Sequence, residues 1–156
     1  MEPTIRSARA ADAEQLALLS LHVWDEAYRD VLDPVVLRRR HEEPASSRKQ
    51  RWAARLATDH MLVALQDLEV VGFARTSAAG SGARQELLGL YTRAPYWRSG
   101  LGSRLLVRCL NTQAAHLWLF DGNERALRFY ERHGFSLDGA RRSDPPFGME
   151  LHMIRN

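Results

Sequence analysis

The sequence predicts a single α/β domain built on one mixed sheet. Three observations predict it. A length of 156 residues suits one core. Strand-like runs are joined by short turns, as in antiparallel pairs. In the second half a strand runs through a glycine-bearing loop into a helix and then another strand, which is how parallel neighbours are connected.

The elements follow in order. Residues 4–9 alternate weakly and read as a first strand. Asp12 then reads as a helix N-cap with Gln15 as capping-box partner. Leu16, Leu19, Val23 and Ala27 carry that helix to about Tyr28. A short helix opens at Asp33-Pro34, with proline in its first turn. Residues 44–47 form a loop, and Ser46 or Ser47 caps a third helical piece through Trp52, Leu56 and Ala57. Residues 61–66 and 69–76 are an antiparallel pair about Asp67-Leu68, and residues 78–82 are a flexible loop. Residues 85–92 form a strand, and Gly100 opens a helix bearing Leu101, Leu105, Leu106 and Cys109. A short buried strand at 116–120 precedes a helix at 123–133, which Gly134 closes. Two final strands, about 135–142 and 149–154, flank Asp144-Pro145-Pro146.

Composition excludes several classes. One cysteine, Cys109, builds neither an internal disulfide nor a zinc ribbon. Apolar runs reach only about five residues, as at 61–65, whereas a membrane span needs about 20. The opening Met-Glu-Pro-Thr has neither the basic nor the apolar region of a signal peptide, so a cytoplasmic protein is expected. The net charge is +3, with acids interspersed among the bases, and Lys49 is the only lysine. No basic stripe interleaved with aromatics appears, so a solvated mixed surface is favoured over a nucleic-acid site.

Two segments carry chemistry. In Trp97-Arg98-Ser99-Gly100-Leu101-Gly102-Ser103 a loop enters a helix. The first N–H groups of a helix lack internal partners and sit at the positive end of its dipole, which suits an anion. Gly100 and Gly102 allow close approach to the backbone, and Arg98 offers a charge-assisted bond. A P-loop requires Lys then Ser/Thr after the last glycine, and Ser103-Arg104 does not provide it. A dinucleotide fingerprint requires glycine near position 105, where leucine stands. A plain helix-opening turn is the simpler alternative. The second segment, residues 123–135, places Asn123, Ala126, Tyr130 and His133 on one side of a helix. Asn123 and Tyr130 either line a groove or belong to the core.

Together the segments resemble the GCN5-related N-acetyltransferase (GNAT) superfamily. Trp97 to Gly102 occupy the phosphate-loop pattern Q/R-x-x-G-x-G/A, and Asn123, Ala126, Phe129, Tyr130, Gly134 and Phe135 match N-x-x-A-x-x-F-Y-x-x-x-G-F. Trp97 departs from the usual Gln or Arg. The resemblance covers nearly the whole chain and is strongest over residues 86–135. It implies one GNAT domain over residues 1–156, with a mixed, largely antiparallel sheet of about six to seven strands flanked by about four helices.

The resemblance further implies an N-acetyltransferase that moves the acetyl group of acetyl-CoA directly to a primary amine in a ternary complex, without a metal. The pyrophosphate would sit on Arg98, Ser99, Gly100, Leu101, Gly102 and Ser103, with Trp97 beside it. The pantetheine would pair with main chain at Leu90, Tyr91 and Thr92. Asn123 would touch the cofactor arm, Tyr130 would serve as general acid at sulfur, and an N–H near Leu90 would polarise the carbonyl. Glu86 is the expected base, with His116 and His152 behind it; His133 reads as a helix-end residue. Trp24 and Tyr28, at i and i+4, either anchor the first helix or line the acceptor site, with residues 143–147 near the same opening. Asp25 and Glu26 are either cation attractors or ordinary surface acids. The acceptor is a small molecule or peptide, and the protein a monomer or homodimer. The alternative is a catalytically silent acetyl-CoA sensor of the same fold.

Overall fold

A computed structural model describes residues 1–78 and 84–156. Seven strands form one sheet: β1 (Thr4–Ser7), β2 (His60–Gln66), β3 (Glu69–Thr76), β4 (Gln85–Thr92), β5 (Ala115–Phe120), β6 (Ser136–Asp144) and β7 (Gly148–Arg155). Their spatial order is β1-β2-β3-β4-β5-β7-β6. Every neighbouring pair is antiparallel except β4 and β5, which run parallel. The α-helices are α1 (Ala13–Tyr28), α2 (Pro34–Arg39), α3 (Ala45–Thr58), α4 (Leu101–Leu110) and α5 (Glu124–Arg132). None of the helices is long and apolar enough to cross a membrane.

Helices cover both faces of the sheet, and this explains the unbroken apolar run in β2. Met61 and Val63 pack with Leu16, Val23, Trp52 and Phe73 beneath α1 and α3. Leu62 and Ala64 point the other way, to Leu101 and Leu105 of α4. A strand buried on both sides loses the polar alternation of a half-exposed one. A further cluster joins Leu106 and Leu110 of α4 to Leu87, Leu117, Met153, Tyr130 and Phe135.

Several boundaries and caps differ from the sequence reading. β1 ends at Ser7. Asp12 does not cap α1; it accepts bonds from the Arg6 guanidinium at 2.8 and 2.9 Å and from the Arg9 N–H at 2.7 Å. Gln15 is instead spent on β3, accepting from the Val70 N–H at 2.9 Å. The bidentate Arg6 guanidinium and the Arg9 main-chain N–H together engage the carboxylate that a cap of α1 would have used. α3 begins at Ala45, one residue after Pro44, so neither Ser46 nor Ser47 is its cap. Among the described residues there are five α-helices, against about four implied by the resemblance; they include the short α2 expected at Asp33-Pro34, where Asp33 accepts from the Val35 N–H at 2.8 Å. Of the expected loop over 78–82, residues 79–82 lie outside the described residues.

The end of α5 matches its sequence signal. Gly134 has φ +89°. The Phe135 N–H donates to Tyr130 O at 3.0 Å, the Gly134 N–H donates to Glu131 O at 3.1 Å, and the Tyr130 and Phe135 rings meet edge to face. This paired C-terminal cap with its apolar contact fixes where Tyr130 sits.

Candidate active site

The parallel pair β4–β5 stays together only briefly. Gln85, Glu86 and Leu87 pair with Ala115, His116 and Leu117, and no pairing continues beyond them. Leu88 is an extra residue in β4, since Arg75 opposes Gly89 while Thr76 opposes Leu87. Such a bulge bends and twists its strand. From there the strands diverge, and the β4 edge facing β5 has no strand partner. The opening is a cleft of about 710 Å³ lined by Leu90, Tyr91, Thr92, Asn123 and Tyr130 among others. Asn123 and Tyr130, which the sequence left between a groove and the core, both border this cleft.

The glycine loop forms the mouth of this cleft. Trp97, Arg98, Gly100, Gly102 and Ser103 line it. Arg98 and Gly100 both adopt left-handed backbone, φ +62° and +91°. Among the described residues, the N–H groups of Arg98, Gly100, Gly102 and Ser103 have no protein acceptor. The Leu101 N–H reaches only the Ser99 hydroxyl, at 3.3 Å. Several open amides on one loop, at the positive end of α4, make an anion cradle. Ser99 and Leu101 support this loop and do not line the cleft.

Tyr130 projects from α5 into the cleft and is only 9% exposed. Its hydroxyl has no hydrogen-bond partner among the described residues, and burial pushes the phenol well above its ordinary range. Asn123 lines the same cleft while its Oδ1 accepts from the Ala126 N–H at 3.3 Å, so it also caps α5. His133 does not act as a helix-end cation. Its Nε2 lies 2.9 Å from the Ser103 hydroxyl, and burial lowers its pKa, favouring the neutral ring.

Other expected residues lie apart. Glu86 stands opposite His116, one residue before the strands part, and does not line the cleft. His116 Nδ1 lies 2.9 Å from His152 Nε2, and His152 Nδ1 lies 2.6 Å from Asp138 Oδ2, a linked row across three strands. Tyr28 is buried, with its hydroxyl 2.6 Å from that of Tyr91, yet it borders the cleft. Trp24 lies edge-on to Tyr28 and lines a second cavity with Phe147 of the 143–147 turn. Asp25 and Glu26 are both engaged by partners within the chain itself. Asp25 binds His41 at 2.7 Å; Glu26 binds Arg93 at 3.0 Å and the Ala94 N–H at 3.1 Å.

Sequence reasoning gave no role to Arg125, whose guanidinium lies 3.7 Å from the Trp97 ring centre at the cleft mouth. It also passed over Arg40 and Arg55 around the second cavity. An arginine two places after the Asn123 cap was the one available signal for Arg125; the other two are brought together only by tertiary folding.

A splayed parallel pair with an amide-lined loop at its mouth gives a cleft that can hold an extended ligand by an anionic group. The model for the acetyltransferase (GNAT) family matches residues 21–135, and the chain belongs to that family. It is 27% identical over 146 residues to "Probable N-acetyltransferase Rv2775" of Mycobacterium tuberculosis, covering 86% of this chain and 80% of that one. It is 40% identical over 89 residues to mycothiol acetyltransferase of Acidimicrobium ferrooxidans, covering 49% of this chain and 28% of that protein. Among solved structures, the PaiA N-acetyltransferase of Thermoplasma acidophilum in complex with coenzyme A superposes with a TM-score of 0.83 at 20% identity, over 100% of this chain and 99% of that one. The apo form of YjaB from Escherichia coli gives 0.68 at 21% identity, over 99% and 97%. At these identities the structural likenesses speak for the fold.

Proposed function

We propose that this enzyme transfers the acetyl group of acetyl-CoA to a primary amine by direct attack within a ternary complex. The observation that carries this reading is the Tyr130 hydroxyl, which has no hydrogen-bond partner among the described residues and lies in a cleft whose mouth presents open amides. The residues suit acetyl-CoA. The amides of Arg98, Gly100, Gly102 and Ser103 would take its pyrophosphate, the unpaired β4 edge its extended arm, and Asn123 a polar group along it. Its thioester supplies the activated acetyl carbon.

The proton steps fall to this chain's own groups. An amine with pKa near 10.4 is neutral in about one molecule in a thousand at pH 7, so a base is required. Glu86 stands beside the point where β4 and β5 part and, since it does not line the cleft, would take that proton through water. The carbon–nitrogen bond forms, the carbon–sulfur bond breaks, and Tyr130 Oη donates to the departing sulfur. A phenol held above its ordinary range by burial is protonated at neutral pH, and the nearby Arg125 charge favours its ionised form during that donation.

The test is release of CoA thiol with a panel of amines, together with calorimetry of acetyl-CoA binding. Turnover with at least one amine, slowed in Tyr130→Phe, is expected. Tight acetyl-CoA binding with no turnover on any amine would make the chain a sensor of the same fold. Absence of acetyl-CoA binding would overturn the reading altogether.

A further inference from the structure

A second cavity of about 330 Å³ lies between α1, α3 and the sheet. Leu88 and Tyr91 border both it and the main cleft, so the two spaces adjoin at the β4 bulge. Its size is at the small end for ligand sites, which run from about 300 to 1,000 Å³. Its lining holds four arginines, Arg40, Arg51, Arg55 and Arg75, against one acid, Glu43.

Two of these arginines are neutralised. Arg75 binds Asp59 at 2.6 Å, and Arg51 pairs with Glu43. The other two have no carboxylate partner among the described residues. The Arg40 guanidinium lies 4.1 Å from the Trp24 ring centre, and that of Arg55 lies 4.9 Å from the Trp52 ring centre. Two N–H donors of the lining, Arg40 Nη1 and Trp52 Nε1, are buried without an acceptor among the described residues. Burial, then the neighbouring Arg75 and Arg51 charges, lowers the Arg55 pKa to about 10, and burial lowers that of Arg40. Both guanidinia are still charged at neutral pH.

We infer that this cavity binds an anionic group of the acceptor, so that the substrate is an amine that also carries a carboxylate or phosphate. Burying guanidinium donors without acceptors is costly in a folded core, and an anion removes that cost with charge-assisted, bidentate bonds. The aromatic rings against Arg40 and Arg55 restrict where each guanidinium can sit and leave its N–H donors for such a ligand. A purely cationic acceptor such as a polyamine would meet like charge, and Asp25 and Glu26 are already engaged by His41 and Arg93. That the bound molecule is the acceptor rests on the acetyl-transfer reading; that the cavity takes an anion does not.

The experiment uses three matched pairs of primary amines: β-alanine with β-alaninamide, phenylalanine with phenylalaninamide, and O-phosphoethanolamine with ethanolamine. Each is titrated alone, followed by tryptophan fluorescence, because Trp24 and Trp52 line the cavity. Each is then assayed for acetylation by CoA release. At least one anionic member should bind and react better than its neutral partner by roughly 10- to 100-fold. The phosphate and carboxylate pairs tell which anion is preferred. Arg55→Gln and Arg40→Gln should collapse the anionic-to-neutral ratio of kcat/KM towards one through KM, while Arg55→Lys retains part of it. Anion binding by fluorescence without any acetylation leaves the cavity assignment intact and removes the acetyl-transfer reading. Neutral and anionic members behaving alike, including binding by neither, overturns the inference.

Discussion

The Arg125 guanidinium stacks on Trp97, 3.7 Å from the ring centre, and the Trp97 indole N–H donates to Thr92 O at 3.2 Å. The first contact joins α5 to the glycine loop, and the second ties that loop to the end of β4. The position where the family pattern has Gln or Arg thus holds an aromatic plate, and the cation arrives from another element. Arg125→Ala and Trp97→Ala should each weaken acetyl-CoA binding by roughly 3- to 30-fold, the range for a partly desolvated cation–π pair. Calorimetry on the two single variants and the double variant should show losses that do not add, because each removes the same stack.

The two glycines of the loop should respond differently. Gly100 sits at φ +91° with open space around a built Cβ, so Gly100→Ala meets backbone strain rather than a clash. A left-handed L-residue costs about 1–2 kcal/mol, measurable by urea unfolding. Gly102 lies in the first turn of α4, and its Cβ would meet the Phe129 ring at 3.5 and 3.6 Å, ordinary contact distances. Gly102→Ala should therefore change stability by less than about 1 kcal/mol. A loss of acetyl-CoA binding in Gly102→Ala would then report contact with the ligand itself.

Stability should fall at both pH extremes for identifiable reasons. The bond from Arg6, aided by the Arg9 N–H, lowers the Asp12 pKa. Its contribution is present above the unfolded value of about 3.9 and is lost as pH falls below it. Asp12→Asn should lower stability by about 1–3 kcal/mol at pH 7, with the gap to wild type closing as pH falls below the unfolded value and through the lowered folded one. At the alkaline end the sign is opposite in direction of pH. Burial, then the neighbouring Tyr91, holds the Tyr28 phenol well above its ordinary value. The folded state keeps that proton where the unfolded chain releases it, so stability declines as pH rises past about 10. Tyr28→Phe should make this decline shallower, while removing the bond to Tyr91 costs about 0.5–1.5 kcal/mol at neutral pH.

The proton roles separate by kinetics. Tyr130→Phe should lower kcat by roughly 10- to 1000-fold with little change in acetyl-CoA affinity, and Glu86→Gln should lower it within the same range. The buried phenol does not titrate near neutrality, so the pH–rate profile of wild type should show no limb assignable to Tyr130 below about pH 10. If His116→Gln rather than Glu86→Gln abolishes the acidic limb of that profile, the base is the His116–His152–Asp138 row.

Local signals were the legible part of this molecule. Apolar spacing located every strand and helix to within a few residues, and Gly134 with Phe135 announced the cap that fixes Tyr130. The Gly100–Gly102 loop and the Asn123–Tyr130 helix face both border the cleft, although their spacing alone was equally that of a plain turn and a core helix. Competition between partners was not legible. Asp12 and Gln15 have the residue types of a capping box, but Arg6 and the β3 backbone outbid them. Trp24 and Tyr28 share a helix face, yet Tyr28 turns to Tyr91, 63 residues away, and Trp24 to Arg40. The arginine cavity draws on α1, α3, β3 and the segment after α2, so no spacing along the chain encodes it.

The central claim is tested most directly by a crystal structure of the acetyl-CoA complex, read at the distance from Tyr130 Oη to the thioester sulfur. The account predicts the pyrophosphate on the amides of Arg98, Gly100, Gly102 and Ser103, with Oη within hydrogen-bonding reach of sulfur, about 3.5 Å. A pyrophosphate bound away from that loop, or a sulfur beyond reach of Tyr130, contradicts it.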